Sequence, residues 1–191
     1  MTTEMILSVA IGLGLAASCG FRVFVPLLVM SLAAMTEHLT LVPPFEWLGS
    51  GYAMIAFGAA TVLEIVAYYV PWFDNLLDTV ATPIAAIAGV IVTASVIGEM
   101  SPFLRWALAV IAGGGIAAAV QGGTVLLRAT SSMATAGSGN ALLSTGELFG
   151  SLLTSILAII FPIISLFIVL IALGLILRYY AFAPGSPPAE S

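Results

Sequence analysis

The chain has 191 residues, 61% of them apolar and 7% charged, with a net charge of −5 and no lysine. A soluble domain needs about a quarter charged residues to cover its surface, so a water-facing exterior is excluded and the outer surface has to meet lipid. Only four arginines are basic, which excludes nucleic acid as a partner and leaves no basic amphipathic helix for docking on anionic lipid.

A bilayer-spanning helix needs roughly 20 mainly apolar residues. The first apolar run covers 5–35 and is interrupted at Arg22. It is too long for one perpendicular span and reads as one tilted helix or a helix broken near Gly20 and Pro26, with a kink expected at the proline. The lone cysteine, Cys19, lies in this run and rules out an internal disulfide. Leu15–Gly20 resembles a lipoprotein cleavage site, yet the residues before it carry Glu4 and no basic group, so Cys19 reads as a core thiol.

Residues 37–50 read as a connection, with Glu37, His38, Pro43, Pro44 and Glu46. A second span is expected over 52–70, where Tyr52, Tyr68 and Tyr69 suit the headgroup level. Asp74 then reads as an N-cap and Asp78 as a first-turn acid, a placement favourable to the helix dipole. The third span is expected over 79–98. Ser101 and Pro102 open a fourth, over 103–127. Its glycines at 113–115 and 122–123 belong to a face packed closely on another helix.

Residues 129–145, rich in Ser, Thr, Ala and Gly, read as a loop, re-entrant or not. Ser144 to Glu147 forms a capping-box pattern before the last run, 148–178. Pro162 makes that run one kinked helix or two half-spans. The tail 183–191, rich in Pro, Gly and Ser, is expected to be disordered. The fold class is therefore all-α: one domain over 1–182, a polytopic bundle of five spans, with six as the alternative. Arg105 and Arg178 then share a side, putting the C-terminus in the cytoplasm of a multi-pass cell-membrane protein. Gly14–Ser18 resembles Gly115–Ala119, a hint of internal duplication of the kind found in transporters.

Ionisable groups in apolar runs usually face the protein interior or a wet cavity and pair there. Arg22 and Glu64 are the strongest of these, with Glu147, Arg128 and Asn140 completing a polar membrane site. Arg22 pairs most simply with Glu64, or else with Glu147. The site reads as a substrate, ion or proton site, as a structural ion pair, or, if the first helix stops at Gly20, as an interfacial arginine. Glu147 reads first as a capping residue, Asp74 and Asp78 as loop acids serving a helix start, and Arg128 as a snorkelling end residue. His38 is the single histidine, so no Cys/His metal site forms. No phosphate loop, nucleophile elbow or zinc-protease motif occurs, so no enzyme is expected, nor is any cofactor.

Gly14, Ala17, Gly20, Arg22, Phe24 and Pro26, then Glu64, Pro71, Asp74 and Asp78, then Arg128, Gly139, Asn140, Ser144 and Glu147 resemble the domain of unknown function 4126 family of small bacterial membrane proteins. The resemblance covers most of 10–150 and implies a polytopic membrane protein with no established activity. In that family an acid often follows the glutamate closely, where this chain has Tyr68. A His and a Lys typically precede the arginine, where it has Gln121 and Thr124. The chain's partners are expected to be the lipid bilayer, a second copy through small-residue faces, and a small solute or ion. A non-transporting scaffold is the alternative. A lipid-directed enzyme is third.

Overall fold

The computed structural model describes residues 2–69, 73–135 and 137–182, with the side chains of 73–79, 176, 177 and 179–182 outside the described set. The described residues form helices joined by turns, bends and short irregular segments, with no strand among them. The helices are α1 (Thr3–Cys19), α2 (Phe24–Met35), α3 (Gly51–Tyr68), α4 (Phe73–Val96), α5 (Pro102–Leu108), α6 (Gly115–Thr135), α7 (Asn140–Ile160) and α8 (Pro162–Phe182). A 3₁₀ segment, Pro43–Gly49, precedes α3, and a π-helical segment, Ala109–Gly114, joins α5 to α6. Gly51–Tyr68, Pro102–Thr135 and Asn140–Ile160 are long and apolar enough to cross a membrane, and Thr3–Cys19, Phe24–Met35, Val80–Val96 and Pro162–Leu175 are shorter apolar helices. Side chains such as Ile55, Leu63, Ile111, Phe149 and Phe167 stand exposed on the exterior, which is where an apolar surface meets hydrocarbon rather than water.

At the centre lies α1, whose residues Ala10 and Gly12 to Cys19 are all buried, with α2, α4, α6, α7 and α8 around it. Its small side chains allow this. A Cβ added at Gly12 would lie 3.1 Å from the Thr93 backbone, and one at Gly20 would lie 2.5 Å from Val120 Cβ. Thr93 Oγ1 donates to Gly12 O at 3.1 Å and Ser151 Oγ to Ser18 O at 3.0 Å. Interhelical bonds of this kind hold helices that gain nothing from the hydrophobic effect in lipid.

The passes alternate in direction. Thr2 Oγ1 donates to Glu99, so α1 starts beside the end of α4 and runs away from it. On α2, Ser95 Oγ donates to Met30 Sδ at 3.4 Å, so α2 returns. The first apolar run is thus a helical hairpin turned at Gly20–Val23. Pro26 sits in the first turn of α2, where its missing N–H costs no helical bond, and the break lies ahead of it. The last run also reverses. A Cβ on Gly14 would meet both Ser165 Oγ at 2.6 Å and Ala158 Cβ at 2.7 Å. Seven residues of continuous helix would separate those levels by about 10 Å, so α7 and α8 fold back at Phe161.

Several expectations are corrected here. Residues 129–145 are not a loop: α6 continues to Thr135 and α7 begins at Asn140, so Ser144 and Glu147 lie inside a helix and form no capping box. The span expected from residue 79 begins at Phe73. That places Asp74 and Asp78 within its first turns, with side chains outside the described residues. Arg105, near the Glu99 end, and Arg178, near the end of α8, fall at opposite ends of the bundle, so the shared side expected of them is lost. The similar stretches 14–18 and 115–119 lie on α1 and α6, which run parallel, so no inverted relation links them. The tail 183–191 and residues 70–72 lie outside the described residues.

Candidate functional site

The turn between α1 and α2 is recessed within the bundle. Gly20, Phe21 and Arg22 bond back to Ala17 and Ser18 carbonyls, which closes α1. The first N–H groups of α2 have no side chain of their own turn to cap them. Glu64, on α3, fills that role: Oε1 accepts from Val23 N at 2.8 Å and Oε2 from Phe24 N at 3.2 Å. A carboxylate at a helix N-terminus satisfies orphan donors and the helix dipole together. Glu64 is therefore a capping residue supplied from another helix, and the simplest pairing expected, Arg22 with Glu64, is not the one that forms.

Arg22 pairs instead across to α7. Its Nη2 donates to Ser144 O at 2.9 Å and lies 3.6 Å from Glu147 Oε2. Glu147 is held more closely by Arg128 on α6: Arg128 Nε donates to Oε1 at 2.9 Å and Nη2 donates to Oε2. This is the two-bond geometry in which arginine binds carboxylate best. Arg128 Nη2 also reaches Ser144 Oγ at 3.1 Å. Arg128 is thus a buried partner of Glu147, and the snorkelling reading fails. Both guanidinium groups lie against one aromatic ring, with Arg22 Cζ 3.8 Å and Arg128 Cζ 4.3 Å from the Tyr68 centroid, within cation–π range.

The cluster is enclosed. Arg22 is 1% exposed and Arg128 2%, and the Glu147 side chain is 10% exposed. Arg128 lies seven residues before the end of α6, so the cluster sits about 10 Å inside that helix end. Two nitrogens of Arg22, Nε and Nη1, are buried with no hydrogen-bond partner among the described residues. Next to the cluster, beyond Tyr68, a cavity of about 320 Å³ is lined by Val23, Phe24, Leu63, Glu64, Val80 and Ile84 among others. Leu63, Val80 and Ile84 are also exposed on the exterior, so this cavity opens sideways. A second cavity, of about 450 Å³, lies at the Glu99 end and is lined by Glu4, Ser8, His38 and Glu99 together with apolar residues.

Of the residues expected in a polar membrane site, Arg22, Arg128 and Glu147 meet, and Glu64 adjoins them through the α2 turn. Asn140 does not join. Its Nδ2 donates to Ser132 Oγ at 2.9 Å in the α6–α7 turn, two helical turns from Glu147. Tyr68 and Ser144 were missed, though both carried a signal: Tyr68 follows Glu64 by four residues and Ser144 precedes Glu147 by three, the spacings that share a helix face. Among the described residues no three His, Cys, Asp or Glu side chains stand together to hold a metal ion.

A family model described as "Domain of unknown function (DUF4126)" matches residues 9–181. No curated protein and no solved structure matches the chain.

Proposed function

The chain belongs to the DUF4126 family, and we propose that it is a small integral membrane protein that passes a small solute or ion through the Arg22–Arg128–Glu147 site. The observation that carries this reading is the charged turn of a recessed helical hairpin. Broken helices bring ionisable groups and free backbone to membrane depth, as in transporters built on discontinuous helices. A cavity at the Glu99 end and another that opens sideways beside the cluster, with packed core around α1 between them, support a path that is closed in this conformation. Tyr68 separates the side cavity from the arginines and is the group whose movement would join them. A second copy is part of this reading. Most small-residue faces are used inside the chain, but a Cβ at Gly146 or Gly150, four apart on α7, would meet nothing within 4 Å.

The test is flux into proteoliposomes across a panel of small ions and solutes, comparing wild type with Glu64→Gln and Tyr68→Ala. Flux above empty vesicles that changes in the variants supports the proposal. Vesicles that behave as empty ones throughout would sink it. In that event the non-transporting scaffold is favoured, on the observation that Glu64 and the Arg128–Glu147 pair each tie separate helices together.

A further inference from the structure

We infer that Arg22 is a binding site for a small monovalent anion, of halide size, held by its Nε and Nη1. The inference names the substrate class of the proposed site and rests on that reading for its role, not for its existence.

A guanidinium stays charged even when buried. A buried charge left uncompensated is strongly destabilising, so it calls for a counter-charge and for acceptors on each donor. Among the described residues Arg22, at 1% exposure, has an ion-pair contact with Glu147 but not an acceptor on every donor. The two nearest carboxylates described are directed elsewhere. Both oxygens of Glu64 accept from the α2 backbone, and both oxygens of Glu147 accept from Arg128. What reaches Arg22 is one carbonyl, Ser144 O, at Nη2 and a carboxylate oxygen at 3.6 Å, too long for a hydrogen bond. Tyr68 covers a face of the guanidinium, which leaves the in-plane N–H groups to other acceptors. The remaining donors, Nε and Nη1, are buried without a hydrogen-bond partner among the described residues.

The charge of the occupant follows from the enclosure of Arg22. An unpaired multivalent anion would carry a larger desolvation cost than two nitrogens could offset. A single-charge ion of halide size fits the donor count: two N–H donors that no described acceptor reaches.

Bromide is the probe. The full chain in detergent is titrated with sodium bromide against sodium gluconate at equal ionic strength, followed by thermal unfolding. Crystals grown in bromide are examined for anomalous signal. The expected results are a saturable rise in unfolding midpoint of about 4 °C at tenfold over Kd and a bromide peak at the Arg22 guanidinium. The shift should vanish in Arg22→Lys, which keeps the charge but loses both nitrogens, and persist in His38→Ala at the far end. Equal midpoints in bromide and gluconate, or a shift that survives Arg22→Lys, overturn the inference. If Arg22→Lys does not fold, the bromide peak in wild type decides: its presence at Arg22 supports the site, and an ordered water alone there refutes it. Bromide binding without flux would remove the transport reading and leave the anion site standing. Flux confined to cations or neutral solutes without bromide binding would do the reverse.

Discussion

Two glutamates of similar appearance in the sequence perform different work, and substitution should tell them apart. Glu64 holds two backbone N–H groups of α2. Glu64→Ala leaves both buried donors unmet and should cost about 1–3 kcal/mol for each group left without solvent. Glu64→Gln keeps one carbonyl acceptor and should cost less. Glu147 instead neutralises Arg128, and truncating either partner leaves a buried charge, a loss of about 3–5 kcal/mol. A double-mutant cycle on Arg128 and Glu147 should then return a coupling above about 1 kcal/mol, read from unfolding in detergent. Additive effects would show that the two-bond pair contributes nothing to the fold. A charge-reversal rescue between Arg22 and Glu64 is not expected, because Glu64 spends its oxygens on backbone.

The helices themselves were largely legible from the apolar runs, but the reversals were not. Gly20 and Pro162 marked both breaks in advance, yet composition gives no direction of travel after a break. That direction is decided by contacts between residues far apart in the chain, such as Gly14 with Ala158 and Ser165. The stretch 129–145 misled for a related reason. Ser, Thr and Gly are poor helix formers in water, whereas a polar segment tied back to its own carbonyls, as Thr130 and Thr135 are, remains helical at a bundle end. Of the glycines at 113–115, expected to form a packing face, Gly113 and Gly114 pack against α4 and Gly115 does not. A Cβ at Gly113 would stand 2.8 Å from Gly89 O and closer still to Thr93 Oγ1, while one at Gly115 meets nothing within 4 Å. Gly113→Ala should therefore push α4 from the π-helical segment and destabilise by about 1–3 kcal/mol. Gly115→Ala should be neutral or stabilising by up to about 1 kcal/mol. Equal unfolding midpoints for the two variants would contradict the close crossing of these helices.

At the scale of the molecule, alternating passes define two ends. The end at Glu99 carries Thr2, the connection around His38 and the start of α5, where Phe45 meets Trp106 at 6.1 Å between ring centroids. The other end carries the α6–α7 turn and, a little below it, the arginine cluster. Because the exterior between them is apolar, only these ends can meet water in a bilayer. Cysteine accessibility reads this directly, since the natural thiol, Cys19, is fully buried in α1 and should stay silent toward maleimide in the intact membrane. His38 and Ser138 are both exposed, one at each end. An impermeant maleimide applied to sealed vesicles should label His38→Cys from one side and Ser138→Cys only from the other, while wild type labels after detergent denaturation alone. Labelling of both positions from a single side would require α2 or α3 to run opposite to the direction described. The α2 turn would then lie away from Glu64, and with it the recessed arginine site would be dismantled.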